Sequence, residues 1–200
     1  MREPTAAEPG NEFELVLVCT ANQIRSPIAE ALVRRLAGAL PLATRSMGLL
    51  DIGSKPPPWE AIEAAADLGL DISMHRSRRL EPRSLRDTDA VVGFEPVHVA
   101  AAVLNGGAPV GRVFLLRELV ELLEQGDAPD VAEPVRRARL AVAGAHERRR
   151  ALRAHNVSAS LDDPLGRGRS AYRSATRELG ELVPRLVHGL FRGPSGDRAR

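Results

Sequence analysis

The chain has 200 residues, 28 Lys+Arg against 26 Asp+Glu, and a formal charge of +2. One domain is expected, large enough to bury a core without covalent staples. A single cysteine excludes an intrachain disulfide framework and a Cys-rich zinc site and fits a reducing compartment; no stretch approaches the ~20 apolar residues of a membrane span; and balanced charge with few aromatics argues against a nucleic-acid partner.

Residues 1–11 are polar, contain Pro4 and Pro9, and read as a disordered tail rather than a signal peptide. A cytoplasmic location is therefore expected, and a monomer is expected as well. Phe13 to Val18, FELVLV, is a short apolar run suited to a buried strand. A polar stretch from Cys19 to Arg25 follows. Ser26-Pro27 then opens a helix, with Ser26 as N-cap and proline at the first helical position. Ala29, Leu32, Val33, Leu36 and Leu40 recur at helical spacing, with Arg34 and Arg35 facing away. Leu42 to Ser46 is a weaker strand. After the rigid Lys55-Pro-Pro-Pro58 turn, Trp59 to Leu68 reads as a helix with Ile62, Ala65 and Ala66 inward, ended by Gly69. Ala90 to Phe94 is a third strand, Pro96 to Leu104 a helix, Val113 to Leu115 a fourth strand and Arg117 to Gln125 a helix. A last helix, about Ser170 to Phe191, carries the stripe Tyr172, Ala175, Leu179, Leu182, Leu186 and Leu190, with a kink or restart expected at Pro184.

Strands alternating with helices imply a parallel sheet covered on both faces. One domain is expected over residues 12–192. Within it, about 127–158 reads as an Arg- and Ala-rich helical insertion or surface helix, and 193–200 as a disordered tail.

The chemistry concentrates in Val16 to Leu32, VLVCTANQIRSPIAEAL. Cys19 stands at the carboxyl end of the first strand, where parallel α/β sheets bind ligands. The loop Thr20, Ala21, Asn22, Gln23, Ile24, Arg25 and Ser26 runs straight into a helix, so its backbone N–H groups and the helix dipole favour an anion. Such a loop can wrap an oxyanion in its amides, and the fixed fork of Arg25 can grip two phosphate oxygens. The same field favours the thiolate of Cys19, placing a nucleophile beneath a bound phosphoryl group. Ser26 can donate to that sulfur, and Asn22 tolerates a left-handed backbone. A buried structural cysteine is the plainer alternative; the strand before, Arg-Ser-Pro after and helix beyond favour the phosphate loop. Phosphoryl transfer to sulfur needs a proton donor for the leaving oxygen. Asp163, stiffened by Pro164 in Leu161-Asp-Asp-Pro-Leu-Gly166, is the candidate, and Asp162 competes with it.

With these residues in place, the sequence resembles the low-molecular-weight protein tyrosine phosphatases. VCTANQIRSPIAE is similar to that family's V-C-x-G-N-x-C-R-S-P-x-A-E, Asp163-Pro164 to its Asp-Pro loop, and Gly69 to Leu80 to its G-I-x-x-x-x-H-x-S-R-x-L segment. The resemblance implies a flavodoxin-like, three-layer αβα fold around a four-stranded parallel sheet of order 2-1-3-4. It implies Cys19 as nucleophile, Arg25 as phosphate clamp, Ser26 steadying the thiolate, and Asp163 as general acid and then base. It also implies that Asn22, Ser46 and His75 hold the loop by hydrogen bonds. Phosphotyrosine-containing proteins would be the substrates, with no metal and no cofactor. His98, His146, His155 and His188 match nothing and receive no role. Three departures stand out: Ala21 replaces the loop glycine and needs a negative φ, Ile24 replaces a second loop cysteine, and Leu165-Gly166 replace the aromatics that follow the Asp-Pro pair. Trp59 is one candidate to supply part of that wall. Two other readings remain: an arsenate reductase of the same fold using an external small thiol or glutaredoxin, and a silent phosphate- or phosphoprotein-binding module.

Overall fold

β1 (Phe13–Cys19) lies at the centre of a four-stranded sheet, flanked by β2 (Leu42–Gly48) and β3 (Ala90–Gly93), with β4 (Val113–Leu115) beyond β3. All pairs are parallel, and the order β2-β1-β3-β4 is the one expected. The computed structural model describes residues 11–152 and 160–193; of the tails expected at 1–11 and 193–200, all but Asn11 and Gly193 lie outside them. A strand buried on both faces has no reason to alternate, and β1 is accordingly apolar from Leu15 to Cys19. Its register sets Cys19 opposite Gly48 and Val18 opposite Gly93. The carboxyl ends of three strands thereby meet at one point.

The helices are α1 (Arg25–Ala37), α2 (Trp59–Ala66), α3 (Pro96–Leu104), α4 (Leu116–Glu124), α5 (Pro134–Leu152) and α6 (Arg169–Phe191). One sheet face, carrying Phe13, Leu15 and Leu17, packs with α1, α2, α4, α5 and α6 in the larger core. The other, carrying Val16, Val18, Val91 and Val113, packs with α3 through Ala102 and with Leu80 and Leu85. α6 touches α1, α2, α4 and α5, and Leu179 and Leu186 on it are fully buried. Truncating either to alanine would cost about 2–5 kcal/mol.

Several local expectations are corrected. Ser26 is not the N-cap of α1: the helix starts at Arg25 with Ile24 at the cap and no side-chain cap bond. The serine hydroxyl is engaged instead with Asn22 and Cys19. α2 ends at Ala66, which is exposed, and Ala61, Ala64 and Ala65 form its buried face. Of the kink or restart expected at Pro184, the restart does not occur: α6 continues through it. Leu182, Val183, Leu186 and Val187 on both sides of the proline are buried, so tertiary packing holds the helix across the missing N–H.

The largest correction concerns 127–158. α5 is not a surface decoration. Ala138 and Ala145 are fully buried, and Val135, Ala141 and Val142 nearly so, against α4, α6 and β1. Its arginines serve the fold. Arg139 pairs with Asp89 at 2.7 Å, and Arg149 donates to the Val113 carbonyl at 2.7 Å while stacking 4.2 Å over Phe114. Arginine stems cover apolar surface while their heads find partners, so composition alone overstated the solvated face. Residues 153–158 lie outside the described residues.

Candidate active site

The loop between β1 and α1 is built from a hydrogen-bonded lattice. Asn22 takes φ 52°, a left-handed conformation that asparagine tolerates. Ala21 is not among the positive-φ residues, which meets the condition its Cβ imposes. The Asn22 side chain is engaged at both ends: Nδ2 donates to Ser26 Oγ at 2.9 Å and Ser46 Oγ at 2.7 Å, and Oδ1 accepts from the Arg78 amide at 2.8 Å. His75 Nε2 lies 2.9 Å from the Asn22 carbonyl and donates to it. Burial lowers the pKa of this ring. Thus the four residues expected to steady the loop, Ser26, Asn22, Ser46 and His75, do meet around it.

Cys19 is 3% exposed, and its Sγ lies 3.0 Å from Ser26 Oγ. Among the described residues, no backbone N–H from Ala21 to Ser26 donates to a backbone carbonyl or a side chain. These uncommitted amides, at a strand end and a helix start, form the kind of concavity that accepts an oxyanion.

Arg25 is 1% exposed, and a buried guanidinium must be paired. Nη1 donates to Glu95 Oε2 at 2.6 Å and to the Leu161 carbonyl at 2.8 Å. Nη2 donates to Asp163 Oδ2 at 2.5 Å and to Thr20 Oγ1 at 3.1 Å. The Leu161 amide donates to the Phe94 carbonyl at 2.7 Å, so the Asp-Pro loop is fastened to the end of β3. This separates the two aspartates. Asp163 turns inward to Arg25, its Oδ1 accepting from the Leu165 amide at 3.1 Å. Asp162 faces outward and pairs with Arg167 at 2.8 Å.

The residues just beyond β3 belong to the site, and no role follows for them from sequence alone. Glu95 is the second carboxylate on Arg25. His98, to which no role was expected, is fully buried and sits 3.1 Å from Thr20 Oγ1. The signal available was position: both follow a strand at the end of the sheet that binds ligands. Glu30, 5% exposed, accepts from Ser46 at 2.5 Å and pairs with Arg34 and Arg78; it anchors the lattice from α1. Trp59 is 53% exposed and stacks 4.3 Å from Arg169. Leu165 is 55% exposed. Among the described residues, no group of three His, Cys, Asp or Glu is placed to hold a metal ion, and no helix is long and apolar enough to cross a membrane.

Residues 14–143 match the family described as low molecular weight phosphotyrosine protein phosphatase. The chain belongs to this family. The family match ends before Asp163, so that residue's placement rests on the geometry above. The low molecular weight protein-tyrosine-phosphatase Etp of Escherichia coli (strain K12) is 31% identical over 117 residues, 58% of this chain and 75% of Etp. The probable phosphatase EpsP of Ralstonia nicotianae is 28% identical over 123 residues, 62% of this chain and 79% of EpsP. Among solved structures, the low molecular weight protein tyrosine phosphatase of T. tengcongensis superposes with a TM-score of 0.64 at 22% identity, covering 88% of this chain and 99% of that one. The YwlE arginine phosphatase of Geobacillus stearothermophilus gives 0.65 at 21%, covering 89% and 92%. These two likenesses speak for the fold, flavodoxin-like as expected.

Proposed function

We propose that the protein hydrolyses phosphotyrosine on proteins through a cysteinyl-phosphate. The observation that carries this reading is the meeting of Arg25 with Asp163, 138 residues apart in sequence, beside the loop that holds Cys19. The names of the relatives, protein-tyrosine-phosphatases, support the same substrate class.

In the first step the Cys19 thiolate attacks phosphorus in line, and the bond from phosphorus to the phenolic oxygen breaks. Asp163 gives its proton to that oxygen. In the second step Asp163 takes a proton from water, the water oxygen attacks phosphorus, and the S–P bond breaks to release phosphate and the thiolate. Loop amides from Ala21 to Ser26 and the Arg25 guanidinium stabilise the charge on the transferring group. The phosphoryl dianion takes over the Nη2 donor that Asp163 holds, which turns the carboxyl group toward the leaving oxygen. Ser26 Oγ donates to the sulfur and eases its departure. A single thiol without a second loop cysteine suits a reducing cytoplasm.

Cys19→Ser tests the reading. Turnover of para-nitrophenyl phosphate and of a phosphotyrosine peptide is expected to vanish, while inorganic phosphate still raises the melting temperature. Undiminished hydrolysis by this variant would remove the proposed nucleophile.

A further inference from the structure

His98 and Thr20 are joined by a chain of hydrogen bonds whose direction the structure determines. His98 Nδ1 lies 3.3 Å from the Phe94 N–H and 3.0 Å from the Glu95 N–H. Both are backbone donors, so Nδ1 accepts and carries no proton. Burial, reinforced by the charge of Arg25 and opposed by that of Asp163, lowers this ring to about 4. At neutral pH its one proton is therefore on Nε2, which donates to Thr20 Oγ1 at 3.1 Å. Arg25 Nη2 donates to the same oxygen at 3.1 Å.

A hydroxyl oxygen has two acceptor sites and one proton to give. On Thr20 both acceptor sites are filled, so the O–H acts only as a donor. Among the described residues, Thr20 Oγ1 donates to no acceptor. Thr20 directly follows Cys19 and is only partly buried. Its β-branch restricts χ1, and two donors pin the oxygen further.

We propose that the Thr20 hydroxyl donates a hydrogen bond to a non-bridging oxygen of the phosphoryl group on its way to Cys19, and that His98 is the positioning residue that makes it a donor. This rests on the phosphatase reading above and adds to it a donor that does not belong to the loop backbone. Thr20 touches the transferring group; the His98 Nε2–H acts on it through Thr20, while Nδ1 holds the Phe94 and Glu95 amides.

The test compares Thr20→Val, Thr20→Ser, His98→Asn and the double variant Thr20→Val/His98→Asn with the unaltered protein, using kcat/KM for para-nitrophenyl phosphate and a thermal melt for each. An inactive unaltered protein would defeat the phosphatase reading itself, whereas the comparison among variants of an active enzyme addresses this proposal. Thr20→Val, close to isosteric, is expected to lose about 10–100-fold, the loss of one hydrogen bond to a charged group. Thr20→Ser restores the hydroxyl and is expected within about threefold of the unaltered enzyme. His98→Asn keeps an acceptor for the two backbone amides but has no donor reaching Thr20, and falls in the Thr20→Val range. The double variant is then no slower than Thr20→Val, because both changes act on one hydroxyl. Full activity in Thr20→Val, a serine variant no better than valine, or multiplicative losses in the double variant would each overturn the proposal. If His98→Asn does not fold, the valine and serine variants decide it.

Discussion

Gly48 ends β2 opposite Cys19, and a methyl group there is the most direct mechanical perturbation of the loop. A Cβ built on Gly48 would lie 2.7 Å from the Ala21 carbonyl carbon, 2.7 Å from the Asn22 nitrogen and 3.0 Å from Asn22 Cβ. Two of the three atoms are loop backbone. Carbon contacts are favourable near 3.5–4.0 Å, so Gly48→Ala must push Ala21 and Asn22 away by about 0.7–1 Å. Neither side yields easily. Asn22 is held by Ser26, Ser46 and Arg78, and Gly48 by bonds of 2.8 Å to the Arg78 carbonyl and 2.7 Å from the Leu80 amide. Overpacking of this kind costs about 1–3 kcal/mol, roughly 2–12 °C in melting temperature for a chain of this size. A displacement near 1 Å beside the reacting group costs on the order of a hundredfold in rate. Thermal melts with and without phosphate, together with kcat/KM for para-nitrophenyl phosphate, measure both effects. The expected variant is folded, slow and less stabilised by phosphate. A Gly48→Ala protein with unchanged melting temperature and kcat/KM within about twofold of the parent would refute the claim that the end of β2 determines the loop's shape.

Other consequences are equally direct. Asp163→Asn is expected to slow phenyl phosphate by about 10²–10⁴-fold but para-nitrophenyl phosphate far less, because a good leaving group needs no proton; equal slowing of both substrates would argue against a general acid. His98 adds a pH dependence to stability. Its folded-state pKa lies near 4, against 6.5 for the free side chain, so the unfolded chain binds the extra proton between those values. Stability is lost as pH falls from about 6.5 towards 4, by up to roughly 3 kcal/mol, and not above that window. Melting temperatures of the unaltered protein and His98→Asn across this range should diverge, with the variant less pH-sensitive; parallel curves would contradict the assignment.

The buried run of β1, the polar loop and the apolar period of α1 were all legible because their causes are local. The same holds for the left-handed Asn22, which one side chain can decide. The role of α5 was not. Its many arginines suggested a solvated surface, but Arg139 and Arg149 find Asp89 and the Val113 carbonyl only once the sheet is assembled. The restart that Pro184 suggested as one outcome does not occur for a related reason: a local break in hydrogen bonding was outweighed by burial on both sides of it. His98 and Glu95 lacked any distinguishing spacing, since their partners Thr20 and Arg25 are 78 and 70 residues away.

By itself the amino-acid order determined the alternation of strands and helices, the loop chemistry around Cys19 and Arg25, and two adjacent candidate aspartates. The tertiary structure decided which aspartate faces Arg25, that Glu95 shares that arginine, and that a neutral imidazole stands behind Thr20. Those choices depend on distances between segments far apart in the chain. Each buried charge and each buried donor must find its partner after folding, and linear spacing carries no record of which one is within reach.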